Sequence, residues 1–385
     1  MLFPALDQKT RSAIDQFLDL IARNFPLEKR FRRNLPGDVA ELSRLFTSDR
    51  KIRDTGYLGR PAMLSAYLYH YLPWNVYKLC KLFGGIASES GGRFPELDED
   101  DAVTDLGSGP LTLPIALWIS FPALRNCKLE FRCVDRTGLI LDAGRKLFDA
   151  LIMESAGLRL WRVKTIRGPL DAPLYGKRSS LIAAANVFNE SAGVEKAAVL
   201  IDARIKENGH VLVVEPGTPP SGRFISALRT ALGKHGISIK APCTHCGSCP
   251  MPSGANKKWC HFPTDTSDAP ERLKALSNAA GIPKERAVVS FLFAQKTPAP
   301  ATSTIEANTN KIRIISDAFP LPGREEGFFG RYGCYEQGLA LVRGSKEKTA
   351  PLLPGALINQ SPADGKDTKS GAAIFTISSP PLSSV

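Results

Sequence analysis

Apolar residues near the start of the chain recur three and four positions apart. They are Phe17, Leu18, Leu20, Ile21 and Phe25. Residues with this spacing share one face of a helix, so the pattern predicts helices in residues 1–85. Glycine and serine, followed by acidic residues, fill positions 86–101 and predict a linker into the next domain.

Short apolar runs then alternate with helical stretches as far as residue 240. The predicted strands are Ala102–Leu106, Leu129–Val134, Val163–Ile166, Leu181–Ala185 and Val211–Glu215. Repeated strand–helix units form a parallel sheet that helices cover on both faces. The sequence therefore predicts an α/β fold with a Rossmann-like domain.

The pattern changes again in the last third of the chain. A helix is predicted over 268–281, and strands over Val288–Phe293, Lys311–Ile315 and Tyr335–Val342. The predicted organisation is an N-terminal helical region (1–85), the Rossmann-like domain (86–240), a cysteine-rich segment with the last strand of the sheet (241–296), a small C-terminal β unit (297–345) and a flexible tail rich in Lys, Pro and Ser (346–385).

The composition is that of a globular protein, with 43% hydrophobic and 23% charged residues among 385. This excludes wholesale disorder. Apolar runs are too short to span a bilayer, and the N-terminus lacks the pattern of a secretory signal, so we expect a soluble, cytoplasmic protein without a membrane partner. Lys and Arg exceed Asp and Glu by 50 to 38, a net charge of +12. Such a surplus favours an anionic partner, foremost nucleic acid, although it also occurs in proteins that are merely basic.

Part of this positive charge is concentrated near residue 30. The candidate RNA-binding residues are Lys29, Arg30, Arg32 and Arg33, with Phe31 among them. Arginines bind phosphates and aromatic rings stack on bases, so the cluster suits RNA. The alternative is a helix packed on the core with a solvated basic face.

A glycine loop follows the first predicted strand and opens a helix. Asp105 precedes Gly107 and Gly109, and Asp135 follows the next strand. Glycines bring backbone N–H groups close to a ligand, and an acid after the second strand can accept hydrogen bonds from ribose hydroxyls. These four residues are therefore candidates to bind a nucleoside-type cofactor; the alternative is a tight turn without a ligand.

The motif departs from both common versions of this loop. A dinucleotide fingerprint requires glycine where Thr112 stands, and the methyltransferase version requires it where Leu111 stands. The acid at position 105 favours S-adenosylmethionine as the cofactor. No catalytic base is identifiable.

Five of the eight cysteines lie in the C-terminal half of the chain. Cys243, Cys246, Cys249 and Cys260 fall within 18 residues, and Cys334 stands apart. A cytosolic protein keeps its thiols reduced, so such a cluster indicates a metal site. The C-x₂-C-x₂-C-P run is typical of 4Fe–4S loops, but the spacing alone leaves zinc open.

Together these motifs resemble the methyltransferase-like proteins associated with the small ribosomal subunit in bacteria and mitochondria. The resemblance rests on Asp105–Pro110, Val214–Thr218, Pro242–His245, Cys249–Pro250 and Trp259–Phe262. It implies a Rossmann-like methyltransferase domain, a role in small-subunit assembly or translation, and a 4Fe–4S cluster on four cysteines. Carried over, the ligands are Cys243, Cys249, Cys260 and Cys334, with Cys246 as an alternative ligand or a free thiol.

Three functions follow as hypotheses. The first is an S-adenosylmethionine-dependent methyltransferase of small-subunit rRNA or a ribosomal protein. The second is a catalytically inactive iron–sulfur assembly factor that binds rRNA, and the third is a zinc-stabilised RNA-binding protein. In each case we expect a protein that is monomeric off the ribosome. Leu111 and the absence of a recognisable loop for a target base count against the first, whereas Asp105, the glycines and Asp135 favour it.

Overall fold

The computed structural model describes residues 1–47, 57–155, 159–188, 193–251, 259–297, 310–321 and 327–377. The helices are α1 (Gln8–Asn24), α2 (Lys29–Thr47), α3 (Pro61–Ala66), α4 (Leu72–Glu89), α5 (Thr112–Ser120), α6 (Gly138–Glu154), α7 (Val194–Arg204), α8 (Pro219–Gly233), α9 (Glu271–Ala279) and α10 (Lys346–Thr349). Short 3-10 turns cover Tyr57–Gly59 and Pro122–Asn126, and a π-helical turn, Tyr67–Tyr71, joins α3 to α4.

Fifteen strands are present in the described residues, and they form two sheets. They are β1 (Asp101–Leu106), β2 (Leu129–Asp135), β3 (Trp161–Arg167), β4 (Ser179–Ala185), β5 (Ile205–Pro216), β6 (Ile237–Ala241), β7 (Phe262–Asp265), β8 (Arg286–Lys296), β9 (Lys311–Ile314), β10 (Phe319–Pro320), β11 (Phe328–Tyr335), β12 (Gly338–Ser345), β13 (Leu357–Asn359), β14 (Gly365–Lys366) and β15 (Ala373–Thr376).

The larger sheet has eight strands in the order β3-β2-β1-β4-β5-β8-β6, with β7 paired to β8. Strand β1 pairs in parallel with β2 and β4, and β2 pairs in parallel with β3. This sheet confirms the predicted α/β class. Strand β8 departs from the expected parallel sheet, because it runs antiparallel to both β5 and β6. Its apolar run predicted a strand but carries no information on strand direction.

The chain divides into two compact units. The N-terminal unit comprises Phe3–Ala185 and Asp265–Ala287. It contains strands β1 to β4 and helices α1 to α6 and α9. The predicted helical face of α1 buries Phe17, Leu20 and Ile21. Helix α4 continues to Glu89, into the predicted linker. The helical region and the first strands of the Rossmann-like domain belong to one unit.

The connection from β3 to β4 contains no helix. Residues 168–178 are fully described and run without regular structure. Helices follow the other four predicted strands, as expected for most of them, and β3 is the exception. Gly168, Pro169, Pro173 and Gly176 explain the difference, because glycine and proline disfavour helix interiors.

The C-terminal unit comprises Met1–Leu2, Asn186–Thr264 and Val288–Val385. Its second sheet has the strand order β13-β9-β11-β12-β15-β14, with β10 on β11. The run predicted as one strand over Tyr335–Val342 contains the turn of a hairpin. Tyr335 ends β11 and pairs with Gly338, and the rest of the run after this turn lies in β12. A turn is possible there because Gly338 has a φ of +135°.

Residues beyond 346 do not form the expected tail as far as residue 377. They supply α10 and the strands β13 to β15. Phe375 and Ala373 are buried in the core of the second sheet with Ile312 and Val342. Strands β13 to β15 are two to four residues long. Their few apolar residues do not form a recognisable pattern in a segment whose composition is typical of loops. Residues 378–385, and residues 298–309 at the start of the predicted C-terminal β unit, lie outside the described residues.

Candidate metal centre and glycine loop

Four of the five C-terminal cysteines come together in the C-terminal unit. Cys243 follows β6 by two residues, Cys249 lies further along the same loop, Cys260 precedes β7 by two residues, and Cys334 is in β11. We call these four residues the thiol quartet. Cys334 is buried and the other three are half-buried. A central hairpin of the second sheet therefore contributes one member of the quartet.

The pKa values of these thiols show that they are neighbours. Burial raises the pKa of Cys260 well above its usual value, and the charges of the other three members raise it further. Burial also raises the pKa of Cys334 and of Cys243, again with contributions from other members. All six pairs within the quartet interact in this way. Cys246 is exposed and contributes to none of these shifts.

Two buried arginines lie beside the thiol quartet. Arg229 of α8 is 7% exposed, and its Nη2 donates to the carbonyl oxygens of His245 at 2.8 Å and Gly247 at 2.5 Å. Arg313 of β9 is 3% exposed, and its Nε donates to the carbonyl oxygen of Pro242 at 2.8 Å. Both charges oppose the rise in pKa of the Cys243 and Cys334 thiols. Each arginine thus fixes the loop that carries Cys243 and stabilises negative charge on sulfur.

Several buried polar atoms around the quartet have no hydrogen-bond partner among the described residues. They are Arg229 Nε, Thr244 Oγ1 and His245 Nδ1. The other ring nitrogen of His245, Nε2, lies 3.5 Å from Cys334 Sγ. Burial lowers the pKa of His245 to about 4, helped by the charge of Arg229, so the ring is neutral at pH 7. Buried polar groups are usually satisfied, so three orphaned atoms beside four thiols suit an additional polar group at this place.

Cys260 is held by contacts of its neighbours in sequence. The indole Nε1 of Trp259 donates to the carbonyl oxygen of Gly217 at 3.0 Å, and its ring stacks on His261 with centroids 4.7 Å apart. Gly222 of α8 lies directly beneath, since a Cβ there would stand 2.6 Å from Trp259 Cδ1 and 3.0 Å from the Cys260 carbonyl oxygen. Position 222 therefore tolerates no side chain without displacing Cys260.

The thiol quartet can be compared with the ligand sets of zinc and of iron–sulfur clusters. Within the described ranges, no group of three or more His, Cys, Asp or Glu side chains is placed to hold one metal ion. Structural zinc requires four ligands in a tetrahedron, with sulfur about 2.3 Å from the metal. A 4Fe–4S cluster is likewise held by four cysteine thiolates. The four thiols therefore offer the donor set of either group.

The glycine loop lies in the N-terminal unit, between β1 and α5. Gly107 and Gly109 have φ values of +67° and +53°, as the motif predicts. The buried carboxyl of Asp105 accepts a hydrogen bond from Ser108 Oγ at 2.5 Å. Burial raises the pKa of Asp105 to about 7, partly offset by that hydrogen bond. The structure thus brings Asp105 and both glycines into one tight turn.

Asp135 is joined to the same loop. Its Oδ2 accepts from the Gly109 N–H at 3.0 Å, and its Oδ1 accepts from the Thr137 N–H at 2.9 Å. All four predicted cofactor residues therefore lie together. Both carboxylate oxygens of Asp135, the group expected to meet ribose hydroxyls, are used to brace the backbone.

Leu111 takes an unusual conformation in this loop. It has a φ of +59°, in the left-handed region, and its side chain is fully buried. That region costs a residue with a Cβ about 1 to 2 kcal/mol, which explains why glycine occupies it in the usual motif. A glycine at this position has no side chain, whereas the side chain of Leu111 is buried inside the N-terminal unit.

Glu215 is a buried residue whose role the sequence did not indicate. Its Oε1 accepts from the backbone N–H groups of Val187 at 3.1 Å and Phe188 at 2.8 Å. It therefore shapes the loop after β4, where Asn186 has a φ of +60°. Residues 189–192 of that loop lie outside the described ranges.

The predicted RNA-binding residues all lie on the exposed first turns of α2. Lys29, Arg30, Arg32 and Arg33 are exposed, and the Arg30 guanidinium stands 4.4 Å above the Phe31 ring. The helix is anchored by buried Leu35, Val39 and Leu42. The geometry is thus a solvated basic face on a packed helix, which is accessible to an anionic partner.

The strand order of the larger sheet, with an acid–glycine loop after β1, defines an α/β fold of the Rossmann-like class. The chain belongs to the Rsm22 family: residues 91–318 match the family described as mitochondrial small ribosomal subunit Rsm22. The match includes the glycine loop and three members of the thiol quartet; Cys334 lies beyond it.

Solved structures of methyltransferases are among those that match part of this chain. One is an S-adenosylmethionine-dependent methyltransferase from Geobacter sulfurreducens with S-adenosyl-L-homocysteine, at 13% identity and a TM-score of 0.34, covering 59% of this chain and 91% of that one. Another, from Thiobacillus denitrificans with the same ligand, has 12% identity and a TM-score of 0.34 and covers 58% and 90%. A comparison with curated proteins gave no match.

The family description names the mitochondrial small subunit, whereas the sequence predicts a cytoplasmic protein. The cytoplasmic location stays a prediction. Among the described residues, no helix is both long enough and apolar enough to cross a membrane.

Proposed function

We propose that this protein is an rRNA-binding assembly factor of the small ribosomal subunit, built on a methyltransferase-like fold and carrying a 4Fe–4S cluster. The thiol quartet is the observation that carries the proposal. Cys243, Cys249, Cys260 and Cys334 would hold the cluster, and Cys246 would be a free surface thiol. Methyl transfer is not part of this function.

The surroundings of the quartet fit such a group. Four thiolates around a 4Fe–4S core leave a net negative charge, and hydrogen bonds to sulfur tune the reduction potential. Arg229 and Arg313 supply buried positive charge, and the orphaned Arg229 Nε is a donor available to sulfur. The cluster would supply a one-electron redox centre and a cross-link. Zinc is the alternative for the same four thiols.

The ribosomal part of the proposal rests on the family and on charge. The family is named for the small ribosomal subunit, and the chain has a net charge of +12. The exposed cations at the start of α2 would bind the RNA backbone, where neutralised phosphates release counterions.

Replacing Arg30, Arg32 and Arg33 together with glutamine should flatten the salt dependence of RNA binding. We expect the slope of log affinity against log salt to fall by about 2 to 3, because each lost phosphate contact removes about 0.7 to 0.9. Fluorescence anisotropy with a labelled small-subunit rRNA fragment measures it. Glutamine at the exposed Lys346, Lys366 and Lys369 is the charge-matched control. Equal effects in both variants would place the RNA footprint elsewhere.

A second candidate function is S-adenosylmethionine-dependent methylation. Its support is the intact geometry of the loop, in which Asp105, Gly107, Gly109 and Asp135 are gathered at the ends of β1 and β2. These residues would hold the cofactor. Against it stand Leu111, a buried leucine where the usual motif has glycine, and the engagement of both Asp135 oxygens with backbone.

Calorimetry with S-adenosyl-L-homocysteine separates the two functions. We expect no binding to the native protein at millimolar ligand. Leu111→Gly should open the turn and, because a buried side chain is lost, lower the free energy of unfolding by about 2 to 4 kcal/mol. Leu113→Ala, which removes another buried leucine from α5, controls for that loss. Saturable binding to the native protein would support the enzyme and contradict our proposal.

A further inference from the structure

The edge of the larger sheet at β3 is unusually open. Strand β3 ends the strand order, and the connection that follows it has no helix to lay over the sheet. Side chains alternate along a strand. Trp161 and Val163 are buried on one side, whereas Arg162 and Lys164 are exposed on the other. A charged sheet face therefore meets solvent where doubly wound folds usually have a helix.

This face and its connection carry a strong excess of positive charge. We call exposed residues 159–178 the crossover face. Its exposed cations are Arg159, Arg162, Lys164, Arg167, Lys177 and Arg178, against one exposed acid, Asp171. Glu130 of β2, next to them, is already paired with Lys164 at 2.7 Å and Arg132 at 2.8 Å. The face as a whole keeps more exposed cations than exposed acids.

An aromatic ring projects from the same face. Tyr175 is 86% exposed, the highest value for any large hydrophobic side chain in the described part of the chain. The loop beneath it is fixed, because buried Arg132 donates from Nη1 to the Lys177 carbonyl oxygen at 2.7 Å. Gly176 has a φ of +103°. A Cβ on Gly176 would come within 2.8 Å of Arg132 Nη2. The ring is thus presented to solvent on a braced turn.

We propose that the crossover face binds single-stranded rRNA, with Tyr175 stacked on an unpaired base and the surrounding cations on phosphates. Exposed rings among arginines and lysines are how proteins bind unpaired RNA. An acidic protein would match the charge but would not require the ring, and a duplex would hide its bases. The inference rests on the proposed rRNA binding and adds a second contact to that of α2.

Anisotropy with a labelled 12-nucleotide oligouridylate tests this contact over a range of salt. Tyr175→Ala should weaken binding about tenfold, since a stacked base contributes about 1 to 3 kcal/mol, and should leave the salt slope unchanged. Tyr175→Phe should bind like the native protein. Arg162→Gln with Lys177→Gln should lower the slope by about 1.4, because single strands lose about 0.7 for each contact. Lys366→Gln with Lys369→Gln is the charge-matched control.

A second probe separates stacking from charge. Inorganic polyphosphate has no bases, so Tyr175→Ala should bind it as the native protein does. Unchanged oligouridylate binding by Tyr175→Ala, while the triple α2 variant still loses slope, would overturn this inference and leave the proposed function standing. A different outcome would be that polyglutamate displaces the labelled oligouridylate as strongly as unlabelled RNA does, while Tyr175→Ala leaves that binding unchanged. This result would assign the face to an acidic protein instead. A native protein that binds no RNA would contradict both proposals.

Discussion

Cys334→Ser is expected to remove the iron from the protein and to lower its free energy of unfolding by about 4 kcal/mol or more. Serine preserves the size of the side chain, so packing in β11 changes little. A lost cluster also removes the folding free energy that metal binding contributes. Cys334 is about 70 residues from the nearest other member of the quartet, and its loss tests the link between the second sheet and the cysteine loop. Cys243→Ser and Cys260→Ser should behave alike.

Cys246→Ser is the matched control for these substitutions. Cys246 is the exposed cysteine of the same loop, so its replacement should leave iron, sulfide and stability at native values. Iron and sulfide per chain in anaerobic preparations, together with denaturant unfolding, give both readouts. The assignment fails if Cys246→Ser loses the metal and Cys334→Ser keeps it. Cys334 would then be a buried thiol and the site would be entirely local.

Arg229→Met should weaken both the fold and the metal site. It leaves the buried carbonyl group of His245 and the partly buried one of Gly247 without their charged donor. Hydrogen bonds to a charged group contribute about 1.5 to 3 kcal/mol each, so we expect a loss of about 3 to 5 kcal/mol in the free energy of unfolding. The missing positive charge should also shift the reduction potential of the remaining cluster to a more negative value, because it stabilised the added electron.

Two further variants distinguish this role from simple packing. Arg229→Lys keeps the charge but not the fork of donors, so its potential should lie near the native one while its stability stays reduced. Arg223→Met removes an exposed arginine from the same helix and should change neither property. A potential unaltered in Arg229→Met would assign the residue to packing alone.

Local patterns predicted much of the fold. Strands β1 to β4 begin and end within two residues of the apolar runs that predicted them, because buried parallel strands are short and continuous in sequence. The acid and glycines of the loop were visible as a motif, and the structure gathers Asp105, Gly109 and Asp135 as expected. Which cysteines come together was implied by the family resemblance rather than by spacing.

Features that depend on distant partners could not be predicted. The direction of β8 depends on its pairing with β5 and β6, which end 70 and 45 residues before β8 begins. Arg229 and Arg313 are ordinary basic residues in the sequence, and only folding places them beside the quartet. The missing helix between β3 and β4 was signalled by Gly168, Pro169 and Pro173, whereas the exposure of Tyr175 was not signalled by any motif.

Metal analysis of the native protein tests the proposed cluster most directly. The protein is purified without oxygen, its visible absorption is recorded, and iron, acid-labile sulfide and zinc are assayed per chain. We predict about four irons and four sulfides per chain, a broad absorption band in the blue and no stoichiometric zinc. One zinc per chain without iron or sulfide would contradict the cluster and would indicate a zinc-stabilised RNA-binding protein instead.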